Sequence, residues 1–303
     1  MYDSIEMMLE QLKGKRPLKL AVICAHDSEV LLSLKEATDR KIIEPILLGD
    51  RDKIEALIKN NNLNMKAKIV DCGSDEATAE ASVKTVSEGN ADLLMKGLVA
   101  SSTMLKAVLN KEWGLRTGSL LSHIALFMLK EQSKKNLILT DAGINISPDL
   151  SQKKAIIENA VDFAHKLGIV TPKVAIICAV ETVNPDMQAT LDAAALSKMN
   201  DRNQIKGCIV DGPLALDNAL SEDAATHKGI KSQVAGNADI LITPNVEAGN
   251  MLYKMLDFFA PGNSACIVAG AKRPIILTSR AHTHEVKFNS IVLASIIAHE
   301  QMR

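Results

Sequence analysis

Short apolar runs rich in β-branched residues recur along the chain, each followed by a stretch whose apolar positions fall at helical spacing. The runs lie at 18–25, 45–49, 66–71, 92–97, 136–141, 173–179, 207–212, 238–244 and 265–270. Helical patterns lead into the first run over 3–13 and follow others over about 27–39, 51–60 and 76–88. Ser101-Ser-Thr offers an N-cap for a further helix reaching about Asn110. Apolar runs alternating with helical stretches predict βαβ units and a mainly parallel sheet.

One stretch ends differently. Pro274-Ile-Ile-Leu is apolar and stops in Thr278-Ser279-Arg280, after which a helical pattern carrying Ile291, Leu293, Ile296 and Ile297 runs toward the C-terminus. A strand feeding a helix leaves backbone N–H groups and the positive end of the helix dipole at the turn. In open α/β folds ligands bind at the carboxyl ends of strands, so such a turn suits an anion. Two hydroxyls and a guanidinium fork there suit a phosphate. The plain alternative is a solvated Arg after an edge strand.

The length of 303 residues suggests two domains, each with its own core. The sequence places 1–134 plus 272–303 in a first α/β/α domain carrying the Ser-Arg turn, and 135–271 in a second, with a cleft between the lobes. The run Lys173-Val-Ala-Ile-Ile-Cys-Ala179 faintly echoes Val22-Ile-Cys-Ala25 of the first strand. Hydrophobic residues make up 47% and charged residues 23%, ordinary for a globular protein, but aromatics are only 3%. With so few aromatics and a net charge of −1 without a basic run, neither nucleic acid nor a membrane surface is expected as a partner. No apolar stretch reaches membrane-spanning length and the first residues are not a signal peptide, so a cytoplasmic location is expected. Cys24, Cys72, Cys178, Cys208 and Cys266 lack CxxC spacing and read as small buried hydrophobes.

The dinucleotide glycine fingerprint, the Walker A pattern, the GxSxG elbow and zinc-ligand spacing are all absent. His282 and His284, two apart, would not share a helix face. Polar residues gather instead at strand ends. Lys96 closes one run, and Arg116 through Ser122 and His123 mark a loop at the start of a helix. Asp141 and Asn145 follow the fifth run. Asp211 ends another, and Asn245, Glu247 and Asn250 follow a further one. Asp or Asn at any one turn is more often a cap. Together they fit a substrate cleft.

These residues resemble the phosphate acyltransferases, a family that includes phosphate acetyltransferases and butyryltransferases. The resemblance spans nearly the whole chain. It rests on Met95-Lys-Gly97, Arg116-Thr-Gly118 with Ser122-His123, Asp211-Gly-Pro-Leu, Pro244-Asn-Val-Glu-Ala-Gly-Asn250 with Tyr253-Lys254, and Ser279-Arg280. Ile205 to Asp217 and Leu191 to Met199 look most like the butyryl branch. The resemblance implies a two-lobed fold of the isocitrate/isopropylmalate dehydrogenase type, as a homodimer or larger homo-oligomer. It implies reversible, direct acyl transfer between coenzyme A and inorganic phosphate, with acyl-CoA and phosphate as substrates and neither cofactor nor metal. The acyl group is expected to be butyryl, with acetyl the alternative. Ser279, Arg280 and Glu285 are the implied catalytic residues. Lys96, Arg116, Ser122, His123, Asn145, Asp211, Asn245, Glu247 and Asn250 are the substrate-binding ones. In the acetyltransferases an Asp six residues past the Arg is the proposed base. That position is Val286 here, which leaves Glu285, His284 or the substrate phosphate to take the proton. Two other readings stay open. A metal-dependent decarboxylating dehydrogenase would need clustered Asp residues, and a coenzyme A-binding module would bind without thioester chemistry.

Overall fold

The computed structural model describes residues 2, 4–129, 135–259 and 264–302. The chain forms two compact units: Ser4–Ser119 with Ser264–Arg303, and Met1–Asp3 with Leu120–Asn263.

The first unit begins α1 (Ile5–Leu12), β1 (Leu18–Ile23), α2 (Ser28–Asp39), β2 (Ile43–Gly49), α3 (Arg51–Asn60), β3 (Lys68–Asp71), α4 (Asp75–Ser87), β4 (Leu93–Lys96) and α5 (Ser101–Val108). β1 lies between β2 and β4, parallel to both, and β3 continues parallel beyond β2. Every residue of β1 except Lys19 is buried, as a parallel strand covered on both faces requires. Three helix starts use the side chains the sequence advertises. Asp27, Asp50 and Ser74 accept from the amides of Val30, Lys53 and Ala77. The expected serine cap at 101 is not used. Ser101 is already helical, and Ala100 stands at the cap with no side-chain bond.

The second unit carries β5 (Ser122–Phe127), β6 (Leu137–Thr140), α6 (Leu150–Lys166), β7 (Lys173–Ile177), α7 (Gln188–Asp201), β8 (Ile209–Leu214), α8 (Leu216–Leu220), α9 (Glu222–His227), β9 (Ile240–Ile242) and α10 (Val246–Phe259). Its strand order is β5-β6-β9-β7-β8, parallel except for the β5–β6 pair. The sequence reading made 116–123 a loop opening a helix. The structure makes Ser122 the first residue of a strand buried along its whole length. A short apolar run carries no period that separates strand from helix, and pairing with β6 decides it. A capping box at Asp149 and Gln152 opens α6, and the buried Lys153 ammonium reaches Asp192 on α7 at 2.6 Å.

The chain then returns to the first unit through β10 (Ser264–Ala269), β11 (Ile275–Ile276) and α11 (His284–Gln301). β11 lies parallel to β4 and antiparallel to β10. The unit boundaries therefore fall at 119/120 and 263/264 rather than at the expected 134/135 and 271/272. β5 goes with its partner β6, and β10 goes with β11 and the helix packed on it. Residue 134 lies outside the described residues. α11 packs on β10, β11 and β4 beside α2 and α1, while α4 packs on β1, β2 and β4. α11 is buried on all sides from Val286 to Ala298, polar positions included. Ser290 shows how: its hydroxyl donates to Val286 O at 2.8 Å and accepts from the amide of Cys266 at 2.9 Å.

None of the five cysteines is in a disulfide; Cys24, Cys178 and Cys266 are buried. Burial pushes the Cys24 thiol up to about 12, and the Cys178 and Cys208 thiols to about 11. The thiolate is the reactive form, so a shift of this size lowers its population by roughly a hundredfold or more at neutral pH. In the native chain a disulfide reagent at pH 7.5 is expected to label Cys72 first, and Cys24 and Cys178 only after denaturant is added. Equal labelling rates for all five, read by peptide mass, would contradict this burial.

Candidate functional site

In the first unit, charged groups converge where β1 and β4 end. Gly97 passes so close to β1 that a Cβ would sit 2.4 Å from Cys24 O, and the Gly97 and Leu98 amides donate to Ile23 O and Cys24 O. This tight crossing holds Lys96, which is buried with 5% exposure and donates to Gly97 O at 3.2 Å. Desolvation, then the positive charges of Arg280 and Lys287, hold the Lys96 ammonium below its usual range, with Asp27 opposing them.

The Ser279–Arg280 segment is a turn of its own. β11 ends at Ile276 and α11 starts at His284, so Arg280 does not stand at the helix N-terminus as the sequence suggested. Thr283 gives α11 no side-chain cap. The free amide of His284 donates instead to Glu29 Oε2 at 2.6 Å, and the His284 ring lies 3.4 Å from the same carboxylate. A protein carboxylate thus satisfies the helix end that was expected to face an anion. Within the turn, the amide of Ser279 donates to His282 Nδ1 at 3.2 Å, and the Ser279 hydroxyl accepts from the amide of Ala281 at 3.3 Å. The Arg280 side chain is exposed and meets no described residue in a hydrogen bond or ion pair. Glu285 is exposed in the first turn of α11. Arg116 is exposed, its backbone bridged to Ala271.

In the second unit the strand ends are built from local hydrogen bonds. Asp141 is buried and organises the loop after β6: one oxygen accepts from the amides of Gly143 and Ile144, the other from the amide and side chain of Asn145. The Asn145 side-chain amide also donates to Leu121 O, just before β5, at 2.9 Å, so its donors are committed to Asp141 and Leu121. Ser122 is fully buried and its hydroxyl accepts from Asn159 at 2.9 Å. His123 is buried with its ring edge-on to Tyr253 at 5.8 Å. Asp211 accepts from the next amide, and Asn245 accepts from the amide of Ala248 in the first turn of α10. Asn250 donates to Ala142 O at 3.0 Å. Gly249 explains the glycine in this motif, because a Cβ there would lie 2.2 Å from Asp141 O. Glu247 is exposed. The structure thus brings Lys96, Ser279 and Arg280 together in one unit, and Ser122, His123, Asn145, Asn245 and Asn250 around the β6 end of the other. Among the described residues no set of three His, Cys, Asp or Glu side chains has metal-binding geometry, and no helix is long and apolar enough to cross a membrane.

Residues 76–295 match the family model described as "Phosphate acetyl/butaryl transferase". The chain belongs to this family. It is accordingly an acyltransferase by family. A phosphate butyryltransferase of Clostridium beijerinckii is 48% identical over 98% of this chain and 99% of its own. A phosphate acetyltransferase of Thermotoga maritima is 45% identical over 97% and 99%. The crystal structure of a branched-chain phosphotransacylase from Enterococcus faecalis V583 superposes with a TM-score of 0.81 at 32% identity, over 93% of this chain and 99% of that one. The transferase match takes in Lys96, Ser279, Arg280 and Lys287 but not Asp27 or Glu29. Those two carboxylates, His282 and Lys287 are the groups of the Lys96 cluster that the sequence reading missed. Asp27 carried one signal, its N-cap position. Lys287 carried none, since a lysine inside a helix reads as solvated.

Proposed function

We propose that this chain transfers a butyryl group reversibly between coenzyme A and inorganic phosphate: butanoyl-CoA plus phosphate gives butanoyl phosphate plus coenzyme A. The observation carrying the reading is a group of three cations, Lys96, Lys287 and the Arg280 guanidinium, the last with no partner among the described residues, in a chain of this transferase family. In the proposed mechanism Arg280 and Lys96 hold phosphate so that one oxygen faces the thioester carbonyl carbon. That oxygen attacks, the carbonyl becomes a tetrahedral oxyanion, and the Ser279 hydroxyl or backbone amides donate to it. The C–S bond then breaks and the electron pair leaves on sulfur. A free alkyl thiol titrates near 8.5, so a neighbouring cation favours the thiolate as leaving group. Acyl-CoA and phosphate are both substrates, and the proposal assigns no cofactor or metal.

The phosphate proton goes to a base, and Glu285 is the proposed one. Glu285→Gln is expected to lower kcat several-fold with a smaller effect on the KM for phosphate, because a lost base affects the transition state more than ground-state binding. Unchanged kcat across the pH range would remove Glu285 from the mechanism and leave His284, already paired with Glu29, as the next group to test.

The acetyltransferase relative at 45% identity keeps acetyl as the second reading. A methylene is worth only about 1–3 kcal/mol in such a pocket. The deciding experiment is release of free thiol from acetyl-, propionyl-, butyryl- and isobutyryl-CoA, with and without phosphate or arsenate. Phosphate-dependent release with the highest kcat/KM for butyryl-CoA supports the proposal. Preference for acetyl-CoA moves the chain to the other branch. Binding without release would leave a coenzyme A-binding module.

A further inference from the structure

Lys287 is 2% exposed, and its ammonium is bonded to backbone carbonyls: His282 O at 2.5 Å and Ser279 O at 3.5 Å. No carboxylate among the described residues lies at ion-pair distance from it. Burying an ammonium with no carboxylate in direct contact is costly, and an apolar side chain would fill this position of α11 more cheaply. His282 is buried and Ser279 half-buried, and a neutral amide donor such as Gln would serve their carbonyls without bringing a charge into the fold. The cost therefore points to something the charge does.

The Ser279 carbonyl is a hub. It accepts from the amide of His282 at 3.2 Å and from Lys287, while the Ser279 amide is held by the His282 ring. The residue before Arg280 is thus pinned through both its backbone groups. We propose that Lys287 is a positioning residue of the phosphate site. It fixes the direction in which Ser279 and Arg280 point, and it adds a third positive charge beside Lys96 and Arg280. This rests on the reading of the Ser279–Arg280 turn as the place where phosphate binds. Electrostatics agree with the geometry. Lys287 acts on Lys96 through space, Asp27 offsets both, and Glu29 offsets Lys287 as well.

The test uses the full chain, with thiol release from butyryl-CoA as readout and phosphate and butyryl-CoA varied separately. In Lys287→Met the KM for phosphate is expected to rise at least tenfold, with the KM for butyryl-CoA within twofold of wild type. Lys287→Arg, which keeps charge and donors, should recover part of the loss. A folded Lys287→Met enzyme whose phosphate KM stays within twofold, or whose two KM values rise in parallel, would overturn the proposal. Asp27→Asn decides the matter if Lys287→Met does not fold, because Asn also caps helices well. Removing the offsetting carboxylate should lower the KM for phosphate at least twofold, and an unchanged or raised value overturns the role of the cation group. Absence of phosphate-dependent release in the wild type would overturn the functional reading and this inference together. Loss of the phosphate effect in the variants alone bears on Lys287.

Discussion

Arg280→Lys is expected to reduce kcat/KM for phosphate by about 10- to 100-fold. The reasoning begins with what Arg280 does not touch. Arg16 is locked onto Asp92 by two bonds of 3.0 and 2.8 Å, and Arg40 and Arg51 are paired with glutamates one helical turn away. Arg280 has no such partner among the described residues, yet it stands close enough to Lys96 to depress its ammonium. Two cations held near each other repel, Asp27 offsets that only in part, and a bound phosphate relieves what remains. Lysine keeps the charge but loses the planar fork that matches two phosphate oxygens. The loss of one charge-assisted hydrogen bond is worth roughly 1.5–3 kcal/mol, which gives the stated factor. Steady-state kinetics with phosphate varied, on enzyme shown to be folded by its melting curve, measure it. A merely solvated Arg280 would change stability and rate by no more than about 0.5 kcal/mol.

The largest effect on stability is expected at Lys153. Its ammonium lies 2.6 Å from Asp192, with the two side chains only 6% and 10% exposed, and the second Asp192 oxygen accepts from Gln188 at 2.8 Å. Lys153→Met leaves a carboxylate buried beside an amide. Removing one partner of a buried pair costs about 3–5 kcal/mol, mostly from the charge left behind. In a unit of this size that is a fall of roughly 6–20 °C in Tm. The double variant Lys153→Met, Asp192→Leu should regain most of the loss, since no stranded charge remains. Differential scanning calorimetry of the wild type, the single and the double variants tests both statements. A single variant within about 1 kcal/mol of wild type would mean that water already reaches the pair.

The strand-and-helix alternation was legible because each apolar run is bounded by polar residues and followed by apolar positions at helical spacing. β5 was not, since Ser-His-Ile-Ala-Leu-Phe has no period of its own and becomes a strand by pairing with β6. The same pairing moved the boundary between units. The start of α11 was misplaced because no Gly, Pro, Asn or Asp separates the apolar run from the helical pattern, while the actual partner of the first amide, Glu29, stands 255 residues away. Lys96, Ser279 and Arg280 were readable as polar ends of apolar runs. Lys287 was not, because nothing local distinguishes a buried helical lysine from a solvated one. Asp141 and Asn245 turned out to be loop and cap residues, the ordinary role of those side chains at turns.

The order in which the elements occur has a consequence for synthesis. Residues 120–263 are contiguous and carry β5 to β9, so that unit presents its strands to one another in a single stretch of chain. The other unit does not. β4 lacks its neighbour β11 until residue 276 has been made, and the fully buried α11 comes later still. The earliest part of the nascent chain must therefore wait, with the free edge of β4 and the face of β4 that α11 covers left open, while the middle of the protein folds. A nascent chain stalled after residue 263, on a spacer long enough to clear the exit tunnel, should resist protease across β6, β7 and β9 and be cut in 18–96. The waiting segment is where a holding chaperone would be expected to bind during translation.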